Sequence, residues 1–272
     1  MNKLNSILLS VLLLAALGLI AGLGLAVASE LMAVPVDETS ENIRECLPGA
    51  NCGACGFSGC DGYATALSNG ETKNTALCAP GGEDTAIAIA KVLGVEADTL
   101  FPMAAFVRCN GTPDNAKTKL NYSGVKSCKM ASQLFGGQKE CVYGCIGYGD
   151  CVAVCDYGAA SICDGVARIN PMLCTACQKC IKTCPKNLIE LIPLYETKAV
   201  VVCRNQNKGA FTRKECKAGC IGCMKCVKVC EEDAITVENN NASIDYSKCI
   251  GCKKCESVCP TSAIHIVSLG KN

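Results

Sequence analysis

The feature that most constrains this chain is a cysteine pattern written twice. Cys128, Cys141, Cys145, Cys151, Cys155, Cys174, Cys177, Cys180 and Cys184 recur 75 residues later as Cys203, Cys216, Cys220, Cys226, Cys230, Cys249, Cys252, Cys255 and Cys259. Pro185 and Pro260 keep the same offset, as do Gly144 with Gly219, Ile146 with Ile221, Gly147 with Gly222, Ala159 with Ala234 and Ile189 with Ile264. Agreement at one fixed offset is a tandem duplication. A shorter period of 29 residues relates Cys145 to Cys174, Cys155 to Cys184, Cys220 to Cys249 and Cys230 to Cys259, so each copy is itself a repeat of two.

The run Cys174-x2-Cys177-x2-Cys180-x3-Cys184-Pro185 and its repeat Cys249-x2-Cys252-x2-Cys255-x3-Cys259-Pro260 have the spacing of bacterial two-cluster ferredoxins. Three close thiolates wrap one cube of iron and sulfide, and the fourth reaches the neighbouring cube. Composition agrees: 26 Cys, no Trp, one His and 4% aromatics in 272 residues leave little for an ordinary core, so metal clusters must supply much of the organisation. Disulfides suit short secreted domains, and the triplet spacing would crowd incompatible bridges. Zinc is the second alternative, although paired knuckles do not normally carry four thiols in a triplet-plus-one form.

The formal net charge of +1 excludes a general nucleic-acid footprint. It conceals an asymmetry: residues 30–100 carry a net of −8 and residues 101–272 a net of +8. The basic half is suited to steer an acidic redox partner; attraction between the two halves, or plain solubility, is the alternative.

Leu4 to Ser29 holds no charged residue, and Ser6 to Ala28 as a helix would span roughly 34 Å at about 1.5 Å per residue. Residues 1–29 are read as one transmembrane helix. Ala26-Val27-Ala28 favours a cleaved signal peptide instead, but the apolar run exceeds the usual core of about 7–15 residues. Lys3 before the helix and acids after it would place the bulk of the chain outside. Exposed thiolate clusters argue for the reducing, cytoplasmic side, and this argument is given the greater weight.

Residues 30–45 read as a linker and short acidic helix. Within the domain 30–100, the stretch from Leu47-Pro-Gly-Ala-Asn-Cys52 to Cys78 has the spacing Cys52-x2-Cys55-x4-Cys60-x17-Cys78, with Gly53, Gly56 and Gly59 admitting backbone amides to a cluster. Zinc is again the alternative here. Glu83 to Leu93 has helical apolar spacing closed by Gly94. Met103 to Cys109 and Ala199 to Cys203 predict strands. Ser161 to Ile169, turning at Asp164-Gly165, predicts a hairpin that Ile235 to Ile244 repeats.

Counting ligands, Cys52, Cys55, Cys60 and Cys78 form one set. In the first copy the position matching Cys223 is Tyr148, so Cys141 is expected to join Cys145, Cys151 and Cys184; Cys155, Cys174, Cys177 and Cys180 complete the partner. The second copy offers Cys220, Cys223, Cys226 with Cys259, and Cys230, Cys249, Cys252 with Cys255. That makes five [4Fe-4S] clusters. A sixth is expected from Cys109, Cys128, Cys203 and Cys216, bridging the copies, with buried free thiols as the alternative. Cys46 and Cys163 are spare, and His265 is read as structural. The fold class is α+β: a membrane helix, a small iron–sulfur domain, and a duplicated two-cluster ferredoxin-like domain divided into units 101–202 and 203–272.

The membrane helix followed by the Leu-Pro-Gly-Ala-Asn-Cys stretch, Leu47 to Cys78, and the double clusters of Cys141 to Pro185 and Cys220 to Pro260 resemble the B subunit of the Rnf-type ion-translocating oxidoreductase, in its longer form with extra ferredoxin repeats. The resemblance implies a complex at the plasma membrane that passes electrons from reduced ferredoxin to NAD and pumps sodium ions or protons, with the chain as the cytoplasmic entry point. Independently of it, a string of thiolate clusters without an acid/base pair, phosphate loop or dinucleotide fingerprint reads as a conductor with no active site of its own, so NAD is expected to bind on other subunits. The alternative function is a membrane-tethered polyferredoxin serving a non-pumping reductase, such as one that resets a redox-sensing regulator.

Overall fold

The structure, a computed structural model, describes residues 3–31, 37–194 and 197–268. The first helix, α1 (Lys3–Leu31), contains the apolar stretch Val11–Ser29, none of it buried against the rest of the chain. Nineteen residues rise roughly 28 Å at about 1.5 Å each, close to a bilayer's hydrocarbon thickness of about 30 Å. The helix is long and apolar enough to cross a membrane.

A small helical unit follows. The Asp37 carboxylate caps α2 (Glu38–Cys46) by accepting from the Thr39 N–H at 3.0 Å. This helix packs with α3 (Cys60–Ser68) and α4 (Gly82–Leu93) around Ile43, Tyr63 and Ile89, all fully buried. The predicted stop of α4 is Gly94, in the left-handed conformation at φ 67°.

The remainder alternates short helices and strands: β1 (Met103–Val107), α5 (Cys128–Ser132), α6 (Asp150–Ala153), β2 (Ala160–Cys163), β3 (Val166–Ile169), α7 (Lys179–Thr183) and β4 (Ile189–Pro193). Then come β5 (Thr197–Val201), α8 (Gly209–Glu215), α9 (Lys225–Lys228), β6 (Ile235–Glu238), β7 (Asn241–Ile244), α10 (Lys254–Ser257) and β8 (Ile264–Ser268). The strands form antiparallel pairs, β1 with β4, β2 with β3, β5 with β8 and β6 with β7. Both predicted hairpins are present. Asp164 and Gly165 take φ 49° and 67°, and Asn239 and Asn240 take 47° and 60°, the positive values that the tightest hairpin turns demand.

The 75-residue offset carries α6, β2, β3 and β4 onto α9, β6, β7 and β8 residue for residue. It fails for the opening strands. Val107 of β1 pairs with Ile189 and Val201 of β5 with Ile264, so the two opening strands stand 94 residues apart. The first copy therefore carries 19 extra residues between its opening strand and Cys141, the excess of 94 over 75. Cys109 and Cys203, each two residues past its strand, are the structural counterparts; the expected equivalence of Cys128 with Cys203 is corrected. The expected unit boundary at 202/203 also moves, because β5 pairs with β8 of the second unit.

Each unit is filled by small apolar side chains and cysteines. Val166, Ala167, Leu188 and Ile189 form the first interior, and Ala199, Val201, Ile235, Ala263 and Ile264 the second. Between them lies a seam of Ile192, Val200 and Val202 with Phe106 against it. Arg108, buried at 7% exposure, crosses that seam to the Cys203 carbonyl at 3.2 Å, the Asn241 Oδ1 and Ala242 carbonyl at 2.8 Å each, and the Val201 carbonyl at 3.4 Å.

Candidate iron–sulfur centres

In the helical unit, Cys52, Cys55, Cys60 and Cys78 line one cavity with Leu47, Gly53, Gly59 and Tyr63. The loop coils into that shape through Asn51, Gly53, Gly56 and Gly59, all at positive φ. The Asn51 Oδ1 accepts from the Cys60 N–H at 2.8 Å, and a Cβ on Gly59 would stand 3.0 Å from the same oxygen, so the glycine keeps this closure open. Burial pushes the Cys78 thiol up to about 11.

Three further sets are brought together. Cys220, Cys223, Cys226 and Cys259 line one cavity, where the Ala263 N–H donates to Cys259 Sγ at 3.2 Å. Cys230, Cys249, Cys252 and Cys255 line another. Cys155, Cys174 and Cys177 surround Cys180, whose thiol burial and these neighbours push up to about 11, and the Ala105 N–H of β1 donates to Cys174 Sγ at 3.3 Å.

The remaining two sets differ from the expectation by one exchange. Cys145, Cys151 and Cys184 share their cavity with Cys128, and Cys141 shares one with Cys109, Cys203 and Cys216. The 19-residue excess in the first copy explains this, because it carries α5 and delivers Cys128 to the place that Tyr148 leaves without a thiol. Asp150 straps it there: its Oδ1 accepts from the Cys128 N–H at 2.9 Å, and its Oδ2 from the Lys129 N–H at 3.0 Å and the Ser127 hydroxyl at 2.9 Å. Burial pulls the Asp150 pKa upward, but these three donors together hold it below the ordinary value. Cys151 follows Asp150 directly, so one carboxylate aligns two cysteines of one cavity. The signal available in the sequence was the 94-residue spacing of the predicted strand ends, Cys109 and Cys203.

The central cavity is pseudo-symmetric. From each unit comes a cysteine just past the opening strand, Cys109 or Cys203, and one from the following loop, Cys141 or Cys216. The Gly111 N–H donates to Cys109 Sγ and the Asn205 N–H to Cys203 Sγ, both at 3.4 Å. The Cys145 N–H also reaches Cys109 Sγ at 3.3 Å, and the Cys220 N–H reaches Cys203. The Asn205 side chain, fully buried, donates to Cys141 Sγ at 3.3 Å and to Glu215 at 2.7 Å. Burial pushes Cys203 up to about 12 and Cys216 to about 11.

Four buried thiols ringed by N–H donors suit a positively charged iron cluster, whose thiolate ligands those donors stabilise. Among the described residues no three His, Cys, Asp or Glu side chains close to the spacing of a single bound ion. Cys46 and Cys163 join no set: Cys46 donates to the Asn42 carbonyl at 3.3 Å, and Cys163 is exposed on its hairpin beside the Ser161 hydroxyl. His265 sits in β8 and donates from Nε2 to the Ser262 carbonyl at 3.0 Å.

Cavities of this chemistry, held on short helices and hairpins, define an iron–sulfur protein of the electron-transfer class. Residues 47–80 match a family described as a putative Fe-S cluster, and residues 219–265 match the 4Fe-4S dicluster domain. The chain is 45% identical over 247 residues to the B subunit of the Na(+)-translocating ferredoxin:NAD(+) oxidoreductase complex of Acetobacterium woodii, covering 90% of this chain and 73% of that protein. It is 38% identical over 245 residues to the proton-translocating counterpart of Clostridium ljungdahlii, covering 90% and 86% of the two chains. A third relative, the B subunit of the ion-translocating oxidoreductase complex of Methanosarcina acetivorans, is 39% identical over 241 residues, 88% of this chain and 90% of the relative. The chain belongs to the B-subunit family of ion-translocating ferredoxin:NAD oxidoreductase complexes, and is the [4Fe-4S] electron-transfer component of such a complex.

Proposed function

We propose that this protein carries electrons from reduced ferredoxin through six clusters in single file into a plasma-membrane complex that reduces NAD on other subunits and pumps sodium ions or protons. The helix α1 crosses the membrane once and leaves the cluster-bearing units on the cytoplasmic side. When bound, each cluster supplies a one-electron couple. The chain's own residues hold the clusters, exclude water and set the distances between them.

The observation that carries this reading is the convergence of Cys109 and Cys141 with Cys203 and Cys216 across the seam. Without that site, the two ferredoxin-like units are separate pairs. With it, the Cys145 N–H contact to Cys109 joins the central site to the set Cys128, Cys145, Cys151 and Cys184, and the Cys220 contact to Cys203 joins it to Cys220, Cys223, Cys226 and Cys259. Beyond these lie Cys155, Cys174, Cys177, Cys180 on one side and Cys230, Cys249, Cys252, Cys255 on the other. The site of Cys52, Cys55, Cys60 and Cys78 is docked at the first of these ends, where Lys182 Nζ of α7 donates to the Cys52 carbonyl at 3.0 Å and Gln178 Nε2 to the Ala54 carbonyl at 3.4 Å.

The test is iron and acid-labile sulfide per chain after anaerobic purification. The reading requires about 24 irons, four for each cube, against about 20 if the central thiols are free. Cys141→Ser must then disturb the central cluster and leave the Cys145 pair intact, whereas Cys128→Ser must disturb the Cys145 cluster alone. The opposite assignment in the spectra would reject the ligand sets.

A further inference from the structure

We propose that Lys139 sets the reduction potential of the central site and of its Cys145 neighbour above that of the matching site in the second unit, making the seam the place where an electron rests between the two units. This rests on the six-cluster reading above. Lys139 is a buried cation at 8% exposure, and its Nζ is held by two carbonyls, Gly111 at 2.7 Å and Gly165 at 2.9 Å. Gly111 follows the Cys109 turn, and Gly165 is the turn of the β2–β3 hairpin, so the ammonium is anchored between two cysteine sets. Lys139 lines the central cavity together with Cys109, Cys141, Cys203 and Cys216, and Gly165, whose carbonyl it holds, is two residues before Ala167, whose N–H donates to Cys145 Sγ of the neighbouring set at 3.4 Å.

Lys186, half-buried with its Nζ held by the Val142 carbonyl at 2.7 Å, acts in the same sense on Cys141 and Cys184, so Lys139 is the more deeply buried of two such cations; the other charged groups lining the central cavity itself are balanced. Arg108 also lines it and reaches the Cys203 carbonyl at 3.2 Å, but its charge is balanced by Glu190 at 3.3 Å. Arg204 lies on the rim, half-buried, and Glu215 opposes it from the far side through Asn205 and Asn207. In the second copy the residue 75 positions on, Lys214, is exposed on α8, and the buried Lys198 is held by the carbonyl of Cys249, which belongs to the other set of that copy. A fixed positive charge in a low-dielectric site favours the reduced, more negative form of whatever cluster the cysteines hold, and the four N–H hydrogen bonds to Cys109, Cys203 and Cys141 act in the same direction. One electron leaves the site of Cys145 or Cys220 and arrives at that of Cys203, with no bond formed or broken and no proton required.

The experiment is an EPR-monitored redox titration of the full chain, purified with its clusters, as wild type, Lys139→Gln and Lys139→Arg. The glutamine keeps a donor for the carbonyls but not the charge; the arginine keeps the charge. The expected result is a lowered midpoint for one or two signals in Lys139→Gln, a change of about tenfold in the oxidised-to-reduced ratio or about 59 mV for a one-electron couple, reversed in Lys139→Arg. Unchanged midpoints at full iron content overturn the proposal, as does an equal shift in both variants, which would report shape and not charge. If Lys139→Gln fails to hold iron, Glu215→Gln tests the same field from the opposite side, and must raise the central midpoint; no rise refutes it. A wild-type count of about 20 irons would instead remove the central site itself, so the two readings fail by different measurements.

Discussion

Removing the guanidinium of Arg108 should uncouple the two units. In Arg108→Met the stem is roughly preserved, so the cost comes from the groups left behind. Glu190 is still 28% exposed and still accepts from the Tyr246 hydroxyl at 3.0 Å, so its charge is not stranded. The Cys203 carbonyl keeps the Asn241 Nδ2 at 3.3 Å. The Asn241 Oδ1 and the Ala242 carbonyl lose their 2.8 Å donor, and at about 1–3 kcal/mol per buried unsatisfied group the total is about 2–4 kcal/mol after partial relaxation. That is a large share of the roughly 5–15 kcal/mol that stabilises a typical domain. Because both ends of the interaction lie in different units, the loss falls on their coupling. Anaerobic denaturant unfolding, followed by cluster absorbance and far-UV circular dichroism, should turn from one transition into two, with about four irons, one cube's worth, released in the first. Arg108→Lys should recover little, since an ammonium cannot span the same acceptors. A single transition within about 0.5 kcal/mol of wild type, the usual range for a surface substitution, would refute the account of the seam.

Three further outcomes are expected. Asp150→Ala should cost about 1–2 kcal/mol, as the loss of a helix cap does, and loosen the Cys128 cluster, seen as faster iron release to a chelator. Because the Asp150 pKa is depressed in the folded state, its contribution is complete above the ordinary carboxylate range and lost only as pH falls through it, so the difference from wild type must be equal at about pH 6.5 and about pH 8.5. Gly147→Ala should destabilise by about 2–4 kcal/mol in the same unfolding assay, since φ is 88° and the new Cβ would stand 2.5 Å from the Gly165 carbonyl oxygen; Gly222→Ala, with its nearest atoms at 3.1 Å, should cost less. Lys182→Ala should leave overall stability within about 0.5 kcal/mol but slow electron transfer between the Cys52 and Cys180 sites, measured by flash-induced reduction; an unchanged rate would show that this contact does not set the docking.

Much of this protein is legible without its coordinates, because cluster ligation is largely a local matter. Cys174-x2-Cys177-x2-Cys180 must wrap one object, since a chain of that length reaches nowhere else, and Asp164-Gly165 must turn, since those residues tolerate the positive φ that a hairpin needs. The apolar run of α1, the closure of α4 at Gly94 and the spacing Cys52 to Cys78 are local in the same sense. What residue counting misplaced was Cys128. At 75 residues from Cys203 it looked like a counterpart, yet the insertion that carries it breaks the register, and Cys109 occupies the equivalent place. A cysteine's partner is decided by where its strand or helix is held, and here β1 pairing with β4 and Asp150 capping α5 do the holding. The sequence alone determined that this chain is built from cysteine-bound units behind an apolar helix, because short spacings and periodicities dictate local geometry. Which thiols meet across the seam, and which buried charges face them, was decided only by tertiary packing, because those contacts join residues that no spacing relates.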